Sequence, residues 1–154
     1  MQYLTLFFLL LTCALQAQTT TEPRKGPDEN GVYEVVEDMP LFRSDDCPTD
    51  GDYADRKACA DNAMLQFVYD NVTYPKDAQD ADAEGMAVVS FIVEPDGEIT
   101  APSIYRDPGT GLGQEALRVV NLMQDGGPRW EPGLEDGKPV RVRFMLPIKF
   151  DLGK

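Results

Sequence analysis

The chain has 154 residues, 42% hydrophobic and 27% charged, with 12 Pro and 13 Gly. That length supports one compact domain with appendages, not two sizeable cores. Twenty-seven acids against 14 bases, with no histidine, give a formal net charge of −13. A phosphate backbone would be repelled, so nucleic-acid binding is not expected. The missing histidine also excludes Ser-His and Cys-His nucleophilic pairs and histidine-ligated metal sites. The composition points away from an enzyme, and no catalytic residue, metal or cofactor is expected.

Leu4 to Leu11 is almost unbroken apolar sequence, followed by Thr12-Cys13-Ala14-Leu15-Gln16-Ala17 and then polar residues. The run is well short of the roughly 20 residues that cross a bilayer. Small residues after a short apolar run read as a secretory signal over 1–17, cleaved near Ala17. A lipid on Cys13 and an uncleaved anchor are the alternatives. Export leaves Cys47 and Cys59 as an even pair in an oxidising compartment, where a disulfide is expected. Such a bridge closes a loop of about 13 residues, worth roughly 3 kcal/mol in the chain-entropy model. Zinc held with carboxylates and free thiols are the competing readings.

Residues 18–31 carry no periodic apolar positions and read as a disordered lead-in. Residues 32–60 form an extension containing a short β-type run, Val32 to Val36, and the turn-rich stretch Arg43 to Asp55. From about Asp55 to Asn71 the spacing predicts a helix, with Leu65, Val68, Tyr69 and Val72 on one stripe. Tyr74-Pro75 ends it, because a residue before proline is pushed out of the α region. Pro75 then suits the start of a short helical turn over Lys76 to Asp82.

The period next switches to two. Ala87, Val89, Phe91 and Val93 share one strand face, with Met86, Val88 and Ile92 on the other. Pro95-Asp96-Gly97 is a turn signal, and the return strand, Glu98 to Arg106, contains Pro102, which points to an edge or a bulge. Leu112, Ala116, Val119, Val120 and Met123 make a second helical stripe, ended by Gly126-Gly127-Pro128. The final strand has apolar residues at every even position from Val140 to Phe150, and its Pro147 argues for the sheet edge. The fold class is therefore α+β: two helices packed on a small antiparallel β-sheet, formed by residues 61–154.

Several local patterns have simpler readings than the functional ones they suggest. Asp80 to Gly85 imitates the start of a calcium loop, but Phe91 stands where the bidentate Glu belongs, so a solvated acidic turn is expected. Gly109-Thr110-Gly111-Leu112-Gly113 opens a helix without a P-loop lysine or a dinucleotide spacing. Asn71-Val72-Thr73 matches a glycosylation acceptor and more simply ends a helix. Trp130-Glu131-Pro132-Gly133 reads as a core aromatic at a turn.

The ordered set of elements resembles the carboxy-terminal domain of the TonB family of energy transducers. The matching residues are Tyr74-Pro75 with Ala78, then Gly85, Ala87, Val89, Phe91 and Val93, then Asp96-Gly97 with Ile99. Glu115-Ala116-Leu117, Trp130 with Pro132-Gly133, Gly137-Lys138-Pro139-Val140, Phe144 and Pro147-Ile148 with Phe150 complete it. The resemblance spans about Asn62 to Asp151. It implies a periplasmic, non-enzymatic binding module of the Gram-negative envelope, in a stand-alone exported form without the family's inner-membrane helix and spacer. The implied partner is an extended peptide of an outer-membrane transporter, added as a strand to the sheet edge in the service of transmembrane transport. The candidate partner-binding residues are Arg141, Val142, Arg143, Phe144 and Met145 along that edge. Arg141 and Arg143 would face acidic side chains, and Tyr74 and Pro75 would stand near the end of the groove. The competing expectation is that the chain's own Val32 to Val36 fills the edge. A module for peptidoglycan or another envelope assembly is the alternative function, and an exported carboxylate-dependent hydrolase a lesser one.

Overall fold

The computed structural model describes residues 26–124 and 130–153. The signal segment, most of the lead-in and the Gly126-Gly127-Pro128 stop lie outside the described residues. Among the described residues no helix is long and apolar enough to cross a membrane. The elements run β1 (Val32–Tyr33), β2 (Leu41–Phe42), α1 (Tyr53–Asn71), α2 (Lys76–Asp80), β3 (Gly85–Val93) and β4 (Ile99–Arg106). They continue with α3 (Leu112–Gln124), β5 (Trp130–Glu131), β6 (Gly133–Glu135) and β7 (Lys138–Phe150).

The helix starts and stops follow local chemistry. Asp52 accepts a hydrogen bond from the Ala54 N–H at 2.8 Å, so α1 begins at Tyr53, two residues before the periodic pattern suggested. Val72 is extended and ends α1 three residues before Pro75, its N–H still donating to the Val68 carbonyl. At the start of α3 the Asp107 carboxylate accepts from the N–H groups of Gly109 and Gly113. A Cβ at Gly113 would lie 2.6 Å from that carboxylate, so the glycine is needed for close approach. The glycine-rich loop thus spends the Gly109 and Gly113 N–H groups on the chain's own anion.

The main sheet has the order β1-β7-β3-β4, with β6 also paired to β7. The β3–β4, β3–β7 and β6–β7 pairs are antiparallel. The β1 pair is parallel, Val32 opposite Arg141 and Tyr33 opposite Val142, so the sheet is antiparallel with one short parallel addition. Ala87, Val89, Phe91 and Val93 stand opposite Ile148, Leu146, Phe144 and Val142 on the helix side. All but the half-buried Phe144 are buried, as the period-two pattern required. The stripe on α3 is buried at every position read from the sequence.

Helix α1 departs from its expected stripe. Its buried side is Ala60 and Val68, with Ala63, Met64 and Phe67 packed against the core, while Leu65 is 49% and Tyr69 73% exposed. The helix is rolled because Phe67 packs on Phe42 of the extension, ring centroids 5.5 Å apart. A second, two-stranded ribbon joins Leu41 and Phe42 of β2 to Glu131 and Trp130 of β5. The extension is therefore part of the core, not an appendage. The disulfide between Cys47 and Cys59, Cα atoms 5.7 Å apart, holds its turn-rich stretch to α1.

Pro102 sits where the sequence suggested an irregularity. The β3–β4 register shifts between Ser90 and Ile92, and again between Val88 and Val89. Ala101, beside the proline, has φ 50°. In the β3–β4 turn, Gly97 has φ 81°, and a Cβ there would lie 2.0 Å from the Trp130 carbonyl oxygen. Only glycine lets these backbones meet, and the Trp130 N–H donates to the Gly97 carbonyl at 3.1 Å. Trp130 is a buried core aromatic, packed among Phe42, Phe91 and Phe144.

Candidate functional site

Two sheet edges end the pairing among the described residues, and they differ physically. The outer edge of β4 is broken by two register shifts, a left-handed Ala101 and Pro102. Such irregularities protect an edge against strand addition. The outer edge of β7 also contains a proline, Pro147, but it keeps an unbroken register with β3 and has no left-handed residue from Arg143 to Phe150. Residues 138–140 pair with β6 and residues 141–142 with β1, but from Arg143 to Phe150 the strand pairs only with β3. Backbone N–H and C=O groups on that outer side must be satisfied by water or by another strand.

The near end of this edge is closed by the chain itself. Val32 and Tyr33 lie against Arg141 and Val142, so the first two of the five expected edge residues are already paired. The end of the lead-in folds back on itself beside this edge, where Asp28 accepts a hydrogen bond from Gly31 N–H through its carbonyl. Asp28 accepts from the N–H groups of Asn30 and Val32, and Arg143 lies 3.5 Å from its carboxylate. The Val32 hydrogen bond, foremost, with help from Asn30 and the arginines, holds the Asp28 carboxyl below its ordinary pKa against the cost of desolvation.

Arg141 is committed as well. Its Nε and Nη2 donate to the Glu94 carboxylate at 2.8 and 3.0 Å, and its Nη1 donates to the Asn30 carbonyl at 2.8 Å. Thr100 also donates to Glu94 at 2.6 Å. The Arg141 hydrogen bond is the main reason the Glu94 carboxyl lies below its ordinary pKa, and the same bond raises Arg141. Arg141 thus welds the lead-in to the end of β3, a role that parity along the strand could not reveal because Glu94 and Asn30 are distant in sequence.

The remaining candidates divide by face. Val142 is fully buried and Phe144 stacks on Phe91, so both turn their side chains into the core. Arg143 and Met145 point to the side of the sheet that carries no helix, where Met145 is 37% exposed. Pro147 and Lys149 continue that face, with Lys149 bonded to Asp151 at 2.7 Å. The two cations, Arg143 and Lys149, mark the ends of the open stretch, about 20 Å apart at strand rise. Lys149 was visible in the sequence as an odd-numbered strand residue. Its partnership with Arg143 needed the position of β1.

Tyr74 stands at the far end. Its ring meets Phe150 edge-on at 5.6 Å and its hydroxyl donates to the Ala83 carbonyl at 2.6 Å. Pro75 caps α2. Nearby, Glu115 accepts from the Thr73 N–H, and Arg118 donates to the Asn71 carbonyl, fastening the end of α1 to α3. Burial would raise the Glu115 carboxyl, but the bonds from Arg118 and Thr73 outweigh it and the pKa is lowered. Tyr74 and Pro75 are thus at one end of β7 and Arg141 at the other, not in one cluster.

The family model for the Gram-negative bacterial TonB protein C-terminal matches residues 70–152. The chain belongs to that family, whose domain is periplasmic and not an enzyme family. Similar solved structures include the C-terminal domain of TonB from Helicobacter pylori, at 23% identity and a TM-score of 0.46. That match covers 59% of this chain and 78% of the other. The corresponding domain from Pseudomonas aeruginosa is 28% identical over 54% of this chain and 80% of its own, with a TM-score of 0.37. No curated protein matches the chain.

Proposed function

We propose that the exported protein is a periplasmic, non-enzymatic binding module that captures an extended peptide of an outer-membrane transporter by strand addition. The observation that carries this reading is the outer edge of β7, which pairs with no strand from Arg143 to Phe150 among the described residues. Membership of the TonB carboxy-terminal family supports the choice of partner. The binding segment is shifted from the expected stretch, Arg141 to Met145: it starts at Arg143, because β1 covers Arg141 and Val142. Arg143 and Lys149 suit acidic side chains on the open-face side of the incoming strand, each exchanging a solvent-exposed intramolecular pair for an intermolecular one.

The test is fluorescence anisotropy with labelled peptides from the periplasm-facing termini of such transporters. Binding should be lost or weakened about tenfold by Arg143→Glu, with the melting temperature preserved. Amide resonances of residues 143–150 should shift on binding. If those peptides leave the spectrum unchanged while peptidoglycan fragments shift it, the envelope-assembly function replaces this one.

A further inference from the structure

The extension and α1 enclose a groove of about 900 Å³, within the size range of ligand sites. It includes none of the β7 edge, and apart from Asp70 and Glu131 its lining precedes the family match. One wall is the loop 43–49 after β2. The other is a face of α1 carrying Arg56, Ala60, Ala63, Phe67 and Asp70. These positions step by four, three, four and three, so they share one helix face over about 21 Å. The Cys47–Cys59 disulfide ties the loop to the helix, and the Phe42–Phe67 contact ties them again further along α1.

The floor is apolar and small: Ala60 is buried, with Ala63 and Phe67 half-buried beside it. The rim is charged. Asp45, Asp46 and Asp70 are exposed there, with no ion-pair partner among the described residues. Arg56 is paired with Glu131, so only the Arg43 guanidinium opposes these three carboxylates. The Asp46 carbonyl oxygen lies 4.0 Å from the Cys59 sulfur, which sets Asp46 on the loop wall at the level of Cys59. Asp70 is on the helix wall three turns further, about 16 Å along the axis. An extended chain covers that distance in about five residues, and side chains five apart point to opposite sides. Arg56 adds a need for an acceptor. One of its Nη atoms donates to Glu131, but its buried Nε has no acceptor among the described residues. A buried donor is costly to leave unpaired, and a backbone carbonyl beside Arg56 would satisfy it. A polyamine offers no such acceptor; a peptide does.

We propose that this groove is a second binding site, for an extended basic segment of a partner protein. The segment carries Lys or Arg at two positions five residues apart, one for Asp46 and one for Asp70, with small apolar residues between them over the alanine floor. The site is independent of strand capture on β7. The disulfide fixes its loop wall.

The experiment is anisotropy with labelled hexapeptides on the full mature chain, disulfide intact. A Val-Ala-Val-Ala centre with a Lys at each end should bind at least tenfold more tightly than the same centre with a Glu at each end. Placing both Lys at one end should cost at least threefold, which separates the groove from the general pull of a net charge of −13 on any cation. The Asp46→Asn/Asp70→Asn variant should bind the end-Lys peptide at least fivefold more weakly, with its melting temperature kept because both side chains are exposed. Amide shifts should fall at residues 43–49 and along α1 from 56 to 70. Equal affinity for the two Lys arrangements on the wild type, or undiminished affinity in the variant, overturns the site. Shifts confined to residues 143–150 overturn it too while leaving strand capture standing. Spermidine that shifts the same groove amides as tightly as the peptide overturns the choice of a peptide.

Discussion

The Phe42 ring lies 5.5 Å from the Trp130 indole in an edge-on contact, and Phe42 comes from a segment that precedes the family match at residue 70. This pair joins β2 to β5 and lets the extension enter a core it would otherwise only flank. Phe91 and Phe144 complete the cluster around the indole. Part of the hydrophobic core therefore comes from residues that precede the matched segment.

Replacing Phe42 by Ala should destabilise the whole protein by about 3–5 kcal/mol, the cost of a large aromatic removed from a packed core. Urea unfolding followed by Trp130 fluorescence measures it directly. A loss under 1 kcal/mol would mean the extension folds independently of the rest.

Removing the disulfide with Cys47→Ser/Cys59→Ser should cost about 2–4 kcal/mol by freeing the unfolded chain. Because the loop it closes leads directly into α1, amide exchange should rise first in residues 43–60. The core amides of β3 should stay protected until global unfolding.

Glu94→Gln should remove a pH-dependent part of the stability. The folded Glu94 carboxyl is lowered, chiefly by its hydrogen bond from Arg141. Its contribution is thus fully present above the unfolded value of about 4.3 and lost as the pH falls through the lower folded value. The wild type should exceed the variant in stability at pH 7, and the gap should close in acid below pH 4. A gap that widens in acid would contradict the assignment.

Deleting the residues before Glu34 should uncover Arg141 and Val142 and lengthen the open edge by two residues. Peptide affinity should then rise several-fold, read by anisotropy, because β1 no longer competes for the strand. The deletion forfeits the burial of Val32, so stability should fall by about 1.5 kcal/mol.

Much of this arrangement was legible along the chain, and the illegible parts share a cause. Period-two alternation identified β3 and β7 and their buried faces, because each residue's face is fixed by its parity whatever the partner strand. The α3 stripe was legible for the same reason, since a single apolar arc meets a single sheet. Helix α1 was misread at Leu65 and Tyr69 because two apolar arcs overlap on it, and Phe42 decided between them. In the candidate site the sequence indicated the strand, the edge and Arg143. It could not show that Arg141 is held by Glu94 and Asn30, which lie 47 and 111 residues away.

The sequence by itself determined the α+β class, the cysteine pair, the strand that carries the edge and the family. Each depends on residue identity and local spacing, which act over a few residues. Only the tertiary structure decided where the open edge begins, which cations border it and which helix side chains are left uncovered. These depend on where β1 and the extension settle after the chain has folded back on itself, and a two-residue strand such as Val32–Tyr33 has no periodicity to announce its partner.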